Sequence, residues 1–370
     1  MHFALKSLIL IIPSFFVLSP LLLELSLLIV SFSSIYLMIE KKKFEFFNNF
    51  YFKIIFIFSI YLLLSLIFFH EVKIGYKYSI FYIRYSLYII SVAFLINHLN
   101  IKRELLISFL IVNLILIFDT FFQYIFGLNI IGYETADIKR ISSFFGEELI
   151  LGSFILKISP LVYSLFFFSE KKIDNKLIYF LPLIILLNLF VILLSGERAA
   201  FAMYAIFCFY LFVFLKIRLK TKFIFLIVTI VFSTFIFLFN PTIFERIINK
   251  TIYEVLGQSD SKEKYYNKNV LIVKDYYKKG CNAENEDFKI DCKYNKRLFI
   301  FSPTHNNYYI TAINIFLDYK FFGSGPKSYR VLCNFEKYSV NSFSCATHPH
   351  NYYVQLLSET GIFGFIFILV

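Results

Sequence analysis

One stretch near the C-terminus gathers residues able to move a proton: Thr347-His348-Pro349-His350-Asn351, then Gln355, Glu359, Gly361 and Gly364. An imidazole, with an unperturbed pKa of about 6.5, can accept a proton near neutral pH. Pro349 fixes the backbone ahead of a helix start, and Asn351 is a residue type that caps one. Asn351, Gln355 and Glu359 recur at i, i+4 and i+8, so they share one helical face. Gly361 and Gly364 permit close packing against a neighbouring helix. A polar stripe of this kind is costly in a bilayer unless it lines a cavity. His350 is therefore the candidate catalytic base, and a surface histidine capping a helix is the plainer alternative.

A second group, Leu194-Ser195-Gly196-Glu197-Arg198-Ala199-Ala200, sits at a turn between two apolar runs. Small residues beside Arg198 leave its guanidinium room to reach inward, where it could hold phosphate oxygens in pairs. Snorkelling to lipid phosphates is the alternative. A third group runs from Arg140 through Gly146-Glu147-Glu148 to Gly152. Glu148 is expected at the depth of Arg198, where the two could pair. Arg246 follows Pro241 at the start of an amphipathic segment, His305 precedes Tyr308-Tyr309, and Arg330 follows the turn Gly323-Ser324-Gly325-Pro326. That turn is too short for a phosphate loop. Arg84 lies inside an apolar run and should face a bundle interior. No Walker motif, dinucleotide fingerprint or pair of metal-ligating aspartates occurs in the sequence. No cofactor and no metal are expected.

The elements that must position these residues are membrane helices. Of 370 residues, 59% are hydrophobic and 17% charged, against about 45–50% and about 25% in soluble domains. Mean hydropathy is +0.70. Apolar runs fall near 3–19, 20–39, 52–69, 77–98, 104–126, 148–168, 177–194, 199–216 and 222–240, and a last one runs from 351 to Val370. Each is close to the length that crosses about 30 Å of hydrocarbon. The fold class expected is all-α: a polytopic transmembrane bundle of about ten spans, the last incomplete. Residues 1–240 form the bundle, 241–350 a large, partly helical loop, and 351–370 the start of a further span. The first two runs, parted by Ser19-Pro20, could form a tight hairpin. The 51 Phe and 27 Tyr could serve sugar stacking, but a bias toward Phe, Ile, Lys and Asn accounts for them as apolar filler.

Lysine and arginine crowd alternate connections: Lys41-Lys42-Lys43, Lys102-Arg103, Lys171-Lys172 and Lys216 to Lys222. The positive-inside rule puts these in the cytoplasm with the N-terminus, and the 241–350 loop outside. The net charge of +12 then serves orientation and anionic membrane lipids, and no nucleic acid is expected. Cys281, Cys292, Cys333 and Cys345 all lie in the loop, which suits an oxidising compartment. Three pairings are open. Cys281–Cys292 and Cys333–Cys345 each close a short local loop and are favoured over a zinc site, which lacks a C-x-x-C spacing.

His350-Asn351, nine residues, then Gly361-x-x-Gly364, with the run Leu356-Leu357-x-Glu359 inside it, resembles the signature of the O-antigen ligase family. The resemblance runs from about 80 to 370. It implies an inner-membrane enzyme of bacteria, with about twelve spans and a large periplasmic loop between two late ones. It implies transfer of a glycan from undecaprenyl diphosphate to an acceptor hydroxyl, either lipid A–core or a growing glycan, with inversion at the anomeric carbon and without metal. The family's Ser-Arg-small pattern falls at Ser195 and Arg198, with Gly196-Glu197 inserted as a departure. The family's arginine there is thought to engage the carrier diphosphate. A second arginine usually comes from the loop, and Arg246 and Arg330 compete for that part. Asn351, Gln355, Glu359, Glu148 and His305 are supporting polar candidates. A polymerase, a protein glycosyltransferase and a non-catalytic transporter are the rival readings. Substrate-linked polar residues at mid-bilayer, often on discontinuous helices, would mark the transporter; here the candidate polar residues cluster at the outer edge, which favours a transferase.

Overall fold

The computed structural model describes residues 2–68, 74–135, 140–168, 180–214, 219–255, 281–283, 290–292, 303–340 and 344–369. Among them the chain is helical apart from one small hairpin, and five helices are long and apolar enough to cross a membrane: Pro20–Glu40, Phe50–Phe68, Gly75–Leu99, Lys102–Phe126 and Lys222–Phe239. Four shorter apolar helices accompany them. Their outer faces carry exposed Phe209, Phe214, Ile227, Val231 and Leu238, as lipid-facing surfaces do. The chain divides into two compact units, Met1–Leu37 with Val92–Thr251 and Met38–Ser91 with Ile252–Val370.

The first unit begins with α1 (His2–Leu18) and α2 (Pro20–Glu40, as far as Leu37). Ser19 N–H still reaches Phe15 O at 3.1 Å, and Leu23 N–H reaches Ser19 O at 3.1 Å. The two helices are thus joined end to end rather than folded into a hairpin. Pro20 lacks an N–H but sits in the first turn, where none is required. α3 (Phe50–Ser65), α4 (Ile74–Phe81) and the first part of α5 (Ile83–Leu99) belong to the other unit. α6 (Lys102–Phe126) packs on α1, tied by Lys6 Nζ to Glu104 at 3.1 Å and by the Ser108 hydroxyl to Leu10 O. α7 (Leu151–Phe168), α8 (Phe180–Ser195), α9 (Arg198–Phe214) and α10 (Leu219–Phe239) complete the bundle. Leu116, Ile155, Val162, Ile192 and Tyr204 are fully buried at its centre.

A polar seam crosses that core. Asn113 donates to Asn188 at 3.0 Å, Asn188 donates to Ser159 and Tyr163 at 3.0 Å each, and the Tyr163 and Tyr204 hydroxyls lie 2.9 Å apart. Hydrogen bonds between helices of a membrane bundle contribute about 0.6 kcal/mol each, so the seam fixes register more than it adds stability. Beyond α10 the expected amphipathic segment is helical in three pieces: α11 (Pro241–Phe244), a π-helical turn Glu245–Asn249, and α12 (Lys250–Val255). Ile243 and Ile247 face its core.

The segment between α6 and α7 is pinned by three buried side chains. Asp119 accepts from Ile130 N at 2.9 Å and from the Ser143 hydroxyl. Gln123 donates to Tyr133 O at 3.2 Å and accepts from Ser143 N at 2.7 Å. Asn129 accepts from Ile131 N and Tyr133 N, and donates to Ser143 O at 3.1 Å. Gly127, at φ 78°, ends α6 in the left-handed conformation that glycine adopts without a Cβ penalty.

In the second unit, Cys281–Ala283 and Ile290–Cys292 pair antiparallel as β1 and β2, with Cys281 opposite Cys292. Their side chains lie outside the described part. α13 (Pro303–Asp318), α14 (Tyr329–Leu332) and α15 (Tyr352–Leu369) follow. Ala312, Ile315, Tyr329, Leu332 and Tyr338 form their core. A disulfide joins Cys333 to Cys345, with Cα atoms 5.0 Å apart. α3 packs on α15, and the Tyr61 hydroxyl donates to Thr360 O at 2.6 Å.

Candidate functional site

His350 ends the segment that leads into α15. Its φ is 56°, an uncommon conformation for a residue with a Cβ. Such strained backbone persists where surrounding structure holds it. Asn351 caps α15: its side-chain oxygen accepts from Tyr353 N at 3.0 Å and Val354 N at 3.2 Å. The cap is worth about 1 kcal/mol and fixes where His350 stands.

Aromatic rings wall the imidazole. Tyr308 stacks on it at 5.4 Å between centroids, His305 meets it edge-on at 5.5 Å, and His348 lies at 4.2 Å. His305, Tyr308 and Tyr309 all come from the first turns of α13, and Tyr309 bonds Asn351. One side of His350 stays open to solvent. Burial of the other side lowers its pKa below the usual 6.5, and the charges of His348 and then His305 lower it further. An imidazole so placed is neutral at physiological pH and able to take a proton.

Gln355 and Glu359 lie one and two turns along from Asn351. Gln355 donates to Glu359 at 3.1 Å, and Tyr329 N reaches the same carboxylate at 3.4 Å. Arg330 follows Tyr329, and its charge acts on Glu359. Gly364 does the helix packing expected of it, since a Cβ there would lie 3.0 Å from the Tyr61 ring of α3, but Gly361 does something else. α15 breaks at Gly361, with φ 66° and ψ −173°. A Cβ there would strike the Phe321 backbone and come within 2.6 Å of Gly323 N. The helical hydrogen bonds are exchanged across the break. Ser324 N and Gly325 N bond Ser358 O and Glu359 O, while Ile362 N and Phe363 N bond Lys320 O and Phe321 O. The close neighbour is thus the 320–325 loop. Gly323 is part of this joint: its own Cβ would strike Glu359 and Thr360 backbone.

The candidates around Gly196 belong to the first unit. Gly196, at φ 64°, turns the chain between α8 and α9. Ser195 is buried, and its hydroxyl donates to Ile192 O at 2.8 Å. Glu197 caps α7, accepting from Gly152 N at 2.7 Å, Ser153 N at 3.1 Å and the Ser153 hydroxyl. A carboxylate at a helix N-terminus also meets the positive end of the helix dipole. The inserted Gly196-Glu197 therefore has a structural use. Arg198 is the first residue of α9. Arg246 Nε donates to Gly196 O at 3.0 Å, and Arg140 Nε to Ser195 O at 3.0 Å. Their side chains pack so closely on Gly196 that a Cβ there would lie 3.0 Å from Arg246 and 3.3 Å from Arg140.

Arg198, Arg246 and Arg140 thus gather at one turn, and Arg330 belongs with Glu359 instead. Glu148 is exposed and makes no ion pair with a described residue; the carboxylate engaged at this edge is that of Glu197. Arg84 donates to Phe81 O at 3.2 Å and to the Tyr85 hydroxyl at 3.2 Å. No group of three metal-ligating side chains occurs among the described residues. Sequence reasoning gave no role to Arg140, Glu197, Tyr308 or His348.

No curated protein matches the chain. The profile of the family described as O-antigen ligase matches residues 183–369. That span takes in the arginine-bearing turn and the helix led by His350. With its apolar helices, a histidine leading a capped helix and a turn crowded with guanidinium groups, this chain belongs to the O-antigen ligase family of membrane glycosyltransferases.

Proposed function

We propose that this protein moves a glycan from undecaprenyl diphosphate to an acceptor hydroxyl, with lipid A–core as the acceptor. Its place is the bacterial inner membrane, with residues 241–350 in the periplasm and the shorter apolar helices as further spans. His350 takes the proton from the acceptor hydroxyl as that oxygen attacks the anomeric carbon. Arg198 and Arg246 hold the diphosphate and stabilise the charge that develops on it as the leaving group departs. The observation that carries this reading is the ring of His350, walled by Tyr308, His305 and His348, with its pKa lowered by burial and by the two histidines. Arg246 is preferred to Arg330 as the second arginine because it shares the Gly196 turn with Arg198. Gln355, Glu359 and Asn351 keep the base in place.

Deleting the gene and resolving the cell's lipopolysaccharide tests the reading. Loss of every long chain, with lipid-linked polymer retained, is the expected result. Core carrying a single repeat unit would mean a polymerase, and unchanged lipopolysaccharide would remove the assignment.

A further inference from the structure

Beside the arginine turn, the first unit holds an open cleft of about 810 Å³, lined by Tyr133, Glu134, Thr135, Phe144, Phe145, Gly146, Glu147 and Leu149. Its size is that of clefts that hold small organic ligands, about 300–1,000 Å³. Both walls are built in advance. Asp119 and Gln123 from the end of α6, with Asn129 just beyond it, hold the 130–133 stretch of chain and Ser143. Leu128 and Glu134 pair as an isolated bridge. Gly146, at φ 58°, brings the far wall against the Tyr133 ring, 4.0 Å from where a Cβ would stand.

The lining chooses among ligands. Among the described lining residues two carboxylates, Glu134 and Glu147, accept hydrogen bonds and disfavour an anion such as phosphate. Tyr133, Phe144 and Phe145 give the cleft an aromatic lining, which suits the C–H face of a pyranose, and Thr135 adds a hydroxyl. Carboxylates together with aromatic rings fit a neutral or amino sugar. The cleft also touches the arginine turn: Arg140, bound to Ser195 O, donates to the carbonyl of Leu149 at 3.3 Å.

We infer that this cleft is a glycan subsite, which receives the sugars of the donor next to the diphosphate held at the Gly196 turn. The inference rests on the function proposed above and adds the place where the sugar is read.

The test uses the full chain in lipid nanodiscs and two probes: undecaprenyl diphosphate without sugar, and the cell's own lipid-linked glycan extracted from the deletion strain. The Glu134→Gln/Glu147→Gln pair should weaken binding of the lipid-linked glycan by roughly tenfold or more, the loss of charged hydrogen bonds. It should leave binding of the bare carrier unchanged. Thr135→Trp, which fills the cleft and keeps both carboxylates, should do the same. Arg198→Ala should weaken both probes. Wild-type glycan affinity in both cleft variants would overturn the subsite and leave the proposed function standing. If the wild-type protein bound neither probe, both would fall.

Discussion

At the scale of single residues, the chemistry depends on a histidine that stays neutral. Burial lowers the pKa of His350, and so do the charges of its neighbours. A base must be unprotonated to act, so a lowered pKa extends activity toward acid. The transfer rate should be flat near neutral pH and fall on acidification, with a midpoint below 6.5. His348→Asn removes one of the lowering charges, so its midpoint should move to higher pH. A profile with an acid limb above 6.5 in the wild type, or no movement in the variant, would contradict this setting of the base. Arg246→Ala should lower donor affinity by roughly tenfold or more, measured as KM for the lipid-linked donor. Arg330→Ala should act instead on folding, since it leaves Glu359 without its cation. The Asn351 cap and the place of Arg198 at a helix start were legible in the sequence because the signals are local. The contact of Arg246 with the Gly196 carbonyl was not, because the two lie 50 residues apart in the chain.

At the scale of elements, the joint between α15 and the 320–325 loop is the feature periodicity missed. A helix of that composition reads as unbroken, and the break depends on hydrogen bonds traded with a loop about 35 residues away. Both signals were visible, as Gly361-x-x-Gly364 and as Gly323-x-Gly325, but each has an ordinary local meaning. Gly361→Ala should cost about 1–3 kcal/mol from backbone strain alone, and more from its clash with Phe321. The measurement is thermal unfolding in detergent, and an unchanged melting temperature would show that the break can close. The disulfide Cys333–Cys345 closes a loop of 12 residues. Replacing both cysteines with serine should cost about 2–4 kcal/mol by the chain-entropy argument, and the same melt measures it. Helix positions were otherwise legible, since apolar runs of membrane length leave few alternatives.

At the scale of the molecule, each compact unit takes two separate stretches of chain, and the cuts pass through α2, α5 and α12. Apolar periodicity reports on one helix at a time, so the sequence offered only a division in chain order. The chemistry proposed needs no metal, because diphosphate is a good leaving group once guanidinium groups carry its charge. Transfer should therefore proceed in EDTA at the rate seen without it, and strong inhibition would point to a metal-dependent enzyme. The most direct measurement is transfer itself, by purified protein in nanodiscs supplied with lipid-linked glycan and lipid A–core. His350→Ala should bind donor normally and transfer about 10²–10⁴-fold more slowly. Transfer at the wild-type rate by that variant would take His350 out of the reaction.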